Sequence, residues 1–75
     1  MNGGIDMNVG KNIKQLRLHK KMTQSQLAER LGVSSQAVSK WEKDINAPDI
    51  ALLPEIAKIF GVSIDELFLD NLKIQ

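Results

Sequence analysis

Three helix-start signals, at Thr23, Ser34 and Ser63, cut this chain into short helical pieces and leave little room for another architecture. Each hydroxyl residue follows an apolar residue and has a second apolar residue four positions on: Met22 with Leu27, Val33 with Val38, and Val62 with Leu67. This is the hydrophobic staple, in which the residue before a helix cap packs against the first turn. Two of the three also complete a capping box, with Gln26 three residues after Thr23 and Glu66 three after Ser63. In that box the hydroxyl takes an unpaired amide and the longer side chain reaches back to the cap's own amide. Gly-Val-Ser occurs at both 32–34 and 61–63, where glycine ends one helix in the left-handed conformation and serine opens the next.

Apolar periodicity fills in the rest. From Asn8 the residues Val9, Ile13, Leu16 and Lys20 step by three or four, so a first helix buries that stripe and exposes Lys11, Lys14 and the later lysines. A second helix runs from the Thr23 cap to Gly32 with Leu27, Ala28 and Leu31 inward. A third follows Ser34 with Val38 and Trp41 inward. A fourth ends near Phe60, with Ile56, Ala57 and Phe60 inward. Asp49 could cap this helix, but Pro54 would then sit at its fifth position; Leu53 as cap, with Pro54 first in the helix, suits proline better. Ser63 opens a short fifth helix through Leu69 or beyond. No segment reads as a strand. The expected fold is all-α, five helices in one domain over residues 8–69, with a flexible tail at 1–7 and a C-terminal tail at 70–75.

Composition narrows the functional classes. A chain of 75 residues with no cysteine and one histidine offers no disulfide framework, no thiolate metal site and no histidine cluster. No apolar run approaches the roughly 20 residues of a membrane span, and a soluble cytoplasmic protein without cofactor or metal is expected. The net charge of +1 conceals an asymmetry. Residues 8–43 carry Lys11, Lys14, Arg17, Lys20, Lys21, Arg30, Lys40 and Lys43 against Glu29 and Glu42, a net +6. Residues 44–75 carry Lys58 and Lys73 against Asp44, Asp49, Glu55, Asp65, Glu66 and Asp70, a net −4. A basic front half suggests a polyanion as partner; two ordinary solvated surfaces of opposite sign are the bland alternative.

The junction of the second and third helices decides between them. Very few residues join the two, which forces a tight, steeply angled pair. Ala28 is small where the next helix must approach, Gly32 suits the turn, and Val38 is an apolar knob that packs back across the angle. Helical spacing then turns Ser35, Gln36, Ser39, Lys40 and Lys43 away from the Val38 and Trp41 stripe. These are hydroxyls, an amide and two amines, with no acid among them to repel a phosphate. Gln36 can pair bidentately with adenine and Lys40 can donate to guanine. Trp41 reads as packing, His19 as an end charge or surface residue, and the acids Asp65, Glu66 and Asp70 as negative charge expected at a helix start. Lys20 and Lys21 read as solvated.

The run Thr23-Gln24-Ser25-Gln26-Leu27-Ala28-Glu29-Arg30-Leu31-Gly32-Val33-Ser34, with Gln36-Ala37-Val38-Ser39-Lys40-Trp41-Glu42, closely resembles the Cro/phage-repressor (xenobiotic-response-element) helix-turn-helix family. The resemblance continues through Pro48-Asp49, Ile56 to Ser63 and Asp65-Glu66-Leu67, and covers about residues 8–69. It implies a compact lambda-repressor-like domain that binds double-stranded operator DNA, usually as a homodimer on an inverted repeat. It assigns base reading to Ser35, Gln36 and Lys40, and phosphate contacts to Gln24, Ser39, Lys43 and Asn46. It makes Arg17 and Glu42 a structural ion pair. Two positions depart from the pattern: Ser35 is shorter than the glutamine or arginine of many relatives, and Asp44 stands where glycine is common.

These readings describe a sequence-specific transcriptional regulator, more readily a repressor than an activator. The alternative is an antitoxin of a toxin–antitoxin pair that also autoregulates its operon. It rests on the apolar C-terminal stretch, whose Leu69, Leu72 and Ile74 are expected to stand exposed as a dimer contact. A pure protein-interaction domain is disfavoured by the basic third helix. Nothing resembles a nucleophile–base pair, a metal cluster or a phosphate-cradling glycine loop, so an enzyme is not expected.

Overall fold

A computed structural model describes residues 8–74; the tail expected at 1–7 lies outside the described residues. The described chain is all-helical. It has four α-helices: α1 (Val9–His19), α2 (Gln24–Leu31), α3 (Ser35–Glu42) and α4 (Leu53–Phe60). Two short 3-10 turns accompany them, Ile50–Leu52 before α4 and Asp65–Phe68 after it. The fifth element is therefore a 3-10 turn rather than the expected α-helix. No helix among the described residues is long and apolar enough to cross a membrane.

Helix starts follow the cap signals. The Thr23 hydroxyl accepts from the Gln26 amide at 3.0 Å while the Gln26 side chain accepts from the Thr23 amide at 2.8 Å, so the capping box is complete. Ser34 accepts from the Ala37 amide at 3.1 Å. Leu53, expected as the cap of α4, is its first residue instead, and Asp49 caps the 3-10 turn that precedes it. The Asp49 carboxylate accepts from the Ala51 amide at 2.9 Å and starts the first 3-10 turn, which runs straight into α4. Pro54 is then the second residue of α4, where its missing amide needs no partner.

Helix ends are closed by one device used four times. After α1, α2, α3 and α4 an amide bonds back to a carbonyl five residues earlier: Met22 to Arg17, Val33 to Ala28, Ile45 to Lys40 and Val62 to Ala57, all between 2.9 and 3.0 Å. Each closure needs a left-handed residue just before that amide. Gly32 and Gly61 supply it at φ +73° and +67°, but Lys21 and Asp44 supply it at +57° and +62°. The first ends α1 before Lys20, which is exposed and does not continue the buried stripe.

The core is assembled from Val9, Ile13 and Leu16 of α1, Leu27 and Ala28 of α2, Val38 and Trp41 of α3, Leu53, Ile56, Ala57 and Phe60 of α4, and Leu67. Leu31 and Phe68 pack against its edge. The fully buried Asn12 of α1 donates through Nδ2 to the carbonyls of Leu67 at 2.7 Å and Leu69 at 2.9 Å. Those oxygens are diverted from further helical pairing, and the chain turns extended at Leu69. This is why the Ser63 capping box forms, with bonds of 3.1 and 2.7 Å to Glu66, yet leads into a single tight turn.

Candidate nucleic-acid interface

Gly32, Val33 and Ser34 alone separate α2 from α3, and the left-handed Gly32 swings the chain through the turn. Ala28 and Val38 are buried in the angle between the helices, with Leu27 beneath them. This packing fixes which side of α3 meets solvent. Val38 and Trp41 face the core; Gln36, Lys40 and Lys43 are exposed, and Ser35 and Ser39 are half-buried along the same side. Asn46 is exposed in the loop after α3. The Ser35 hydroxyl lies 3.5 Å from the Gln36 side-chain oxygen, too long to lock either side chain.

Glu42 is the one carboxylate on α3, and it is withdrawn from that surface. Arg17 of α1 clamps it bidentately, Nε to Oε2 at 2.7 Å and Nη2 to Oε1 at 2.9 Å. The remaining guanidinium nitrogen donates to the Met22 carbonyl at 2.8 Å, and the two side chains are 9% and 3% exposed. The hydrogen bond to Glu42 holds the Arg17 guanidinium above the ordinary arginine range, against the opposing effect of burial. Gln24, at the start of α2, donates to the same Glu42 oxygen at 3.0 Å. Gln24, Arg17 and Glu42 thus form one cluster tying the first turn of α2, the last turn of α1 and the end of α3. Among the described residues no buried side-chain nitrogen or oxygen lacks a partner.

With Glu42 neutralised, the outer side of α3 presents two ammonium groups, two hydroxyls and an amide. The exposed Asp44 is the carboxylate nearest in sequence, just beyond the helix end. The three C-terminal residues do not form one free face. Leu69 is 46% exposed, but Leu72 and Ile74, expected to stand free, are half-buried against the chain's own core. Two structural residues escaped the sequence reading. Asn12 interrupts no pattern, because a polar residue beside an apolar stripe looks solvated. Gly10 lies against the end of α3, and its one signal was a glycine inside a helix, where alanine is favoured by about 1 kcal/mol.

A short, glycine-turned helix pair whose second helix turns an acid-free face outward defines a helix-turn-helix domain. Residues 13–67 match the family model described as helix-turn-helix, and the chain belongs to this family, in its Cro/phage-repressor branch of transcriptional regulators. It is 48% identical over 61 residues to the HTH-type transcriptional activator BcrR of Enterococcus faecalis, a match covering 81% of this chain and 30% of BcrR. It is 40% identical over 57 residues to the HTH-type transcriptional regulator MJ0272 of Methanocaldococcus jannaschii, covering 76% of this chain and 86% of MJ0272. Among solved structures it resembles the P22 c2 repressor bound to synthetic operator 9T, with a TM-score of 0.77 and 30% identity over 84% of this chain and 96% of that one. The chain spans 30% of BcrR and between 48% and 61% of three further regulators it matches. These relatives are regulators rather than enzymes.

Proposed function

We propose that the chain binds an inverted-repeat operator as a homodimer and represses transcription by occupying a promoter. In this reading α3 lies in the major groove. Gln36 and Lys40 read base edges, with Ser35 close enough to reach through water. Gln24, Ser39, Lys43 and Asn46 hold the phosphates on either side. The observation that carries it is the outer side of α3, whose one carboxylate is buried in an ion pair. Base recognition needs donors and acceptors in the groove, and phosphate attraction needs the absence of competing negative charge. The P22 c2 repressor, solved on operator DNA, supports the same docking. BcrR is an activator, which sets the opposite regulatory sign as the competing outcome.

Selection of bound sequences from random duplex DNA tests this directly. The expected product is a pair of inverted half-sites with centres about 10–10.5 base pairs apart. Enrichment of single half-sites would remove the dimer, and no enrichment would remove sequence-specific binding altogether. Transcription in vitro from a promoter overlapping the selected site then decides the sign, with repression expected and stimulation against it.

A further inference from the structure

We infer that Gly10 is a positioning residue for DNA reading: its missing side chain sets the depth and tilt of the recognition helix α3. This rests on the docking just proposed. A methyl group built on Gly10 would lie 1.9 Å from the carbonyl oxygen of Trp41 and 2.9 Å from its carbon, with the Glu42 Cα at 3.5 Å. All of these atoms are backbone, so no side chain can rotate away. Non-bonded heavy atoms sit at about 3.5–4 Å, so any residue but glycine must push the end of α3 away from α1 by more than about 1 Å.

The displaced carbonyl has a particular place in the site. The Trp41 oxygen accepts the Asp44 amide at 3.1 Å, part of the closure that ends α3 and launches the loop carrying Asn46. Glu42, next in the chain, holds Gln24 and Arg17. The other end of α3 is fixed separately, by the Ser34 cap and by the Val33 amide bonded to Ala28. A push at Trp41 therefore swings α3 about its anchored start. Gln36, in the first turn, moves least; Lys40, one residue from Trp41, and Lys43 and Asn46 beyond it move most. Gly10 keeps the base readers at the front of α3 and the phosphate contacts at its end in one register.

The test is Gly10→Ala, in the unaltered chain and in a Lys21→Gly background. The second background relieves a left-handed lysine and preserves a folded protein if the first variant is too unstable. Binding is titrated against the selected operator, against its single base-pair variants and across salt concentration. A core variant remote from DNA, Ile56→Val, controls for stability loss.

Affinity for the operator should fall roughly fivefold to 150-fold, the worth of one good base contact. Discrimination should vanish at the base pair read by Lys40 and persist at the one read by Gln36. The slope of log affinity against log salt should shrink by about 1.8 as Lys43 leaves its phosphate in both copies of the dimer. A merely structural role predicts a uniform loss in step with the unfolded fraction, as for Ile56→Val, and that result would overturn the inference. So would unchanged binding by folded Gly10→Ala. If the unaltered chain selects no sequence, the docking itself fails and the inference falls with it.

Discussion

Arg17 and Glu42 show why a single side chain can matter more than its own contacts. Their charges are almost wholly out of water and satisfy each other through two hydrogen bonds. Removing one partner strands the other, so Arg17→Ala should cost about 3–5 kcal/mol in urea denaturation. The double change Arg17→Met with Glu42→Leu should cost far less, because no buried charge remains; equal losses would refute this. Arg17 is raised on folding, so its contribution is complete below the unfolded arginine value and is lost only as pH climbs through the folded one. Its share of the pH slope of stability is therefore zero between roughly pH 6 and 9. Lys21 and Asp44 are the converse case, residues held at φ +57° and +62° where glycine is at ease. A left-handed residue with a Cβ gives up about 1–2 kcal/mol, partly balanced by glycine's greater freedom when unfolded. Lys21→Gly should raise the melting temperature, and by more than Asp44→Gly, because aspartate tolerates this conformation better than lysine. A fall in Lys21→Gly would contradict the left-handed closure. Asp44→Gly should in addition tighten DNA binding, since it removes a carboxylate beside Lys43 and Asn46.

At the scale of elements, starts and ends were not equally legible. Thr23, Ser34 and Ser63 announce themselves because a cap is a local bond between a hydroxyl and an amide three residues on. Gly32 and Gly61 are legible for the same reason. Asp44 performs the same closure with a weaker preference, and Lys21 does so with none to betray it, so α1 ends before the Lys20 that the periodicity included. The last element shows a nonlocal veto. Ser63 and Glu66 signal a helix and do form their capping box, but Asn12, more than fifty residues earlier, takes the carbonyls of Leu67 and Leu69. Asn12→Leu should leave the buried Leu67 oxygen without that donor and cost about 1–3 kcal/mol by thermal melting. Amide exchange should rise first in residues 65–69. Uniform loosening of the whole domain would instead mean that Asn12 acts only through general packing.

For the molecule as a whole, the core joins all four α-helices to Leu67, so the basic front half and the acidic back half are held as one body. The front half supplies the cations that would face DNA, and their number predicts a salt response. If Lys43 neutralises a phosphate in both copies of a dimer, Lys43→Ala should reduce the slope of log affinity against log salt by about 1.8. A reduction near 0.9 would indicate one bound copy. Sedimentation with and without operator separates a preformed dimer from one assembled on DNA. The half-burial of Leu72 and Ile74 leaves Leu69 as the exposed large apolar residue of the C-terminal stretch. Self-association without DNA is therefore expected to be weaker than three free apolar side chains would make it.

The amino-acid sequence alone determined the helical class, the turn between α2 and α3, and the outward set of Gln36, Lys40 and Lys43. All of these follow from interactions within a few residues, caps, left-handed glycines and helical spacing, which leave their marks locally. Tertiary structure decided what depends on distant partners. It added Gln24 to the Arg17–Glu42 pair, ended the last turn through Asn12, folded Leu72 and Ile74 onto the core, and pressed Gly10 against the Trp41 carbonyl. A polar side chain looks the same in sequence whether water or a buried carbonyl awaits it, and a glycine does not declare which backbone lies against it. Only the packing of α1 across the end of α3 and against the Asp65–Phe68 turn supplies those partners.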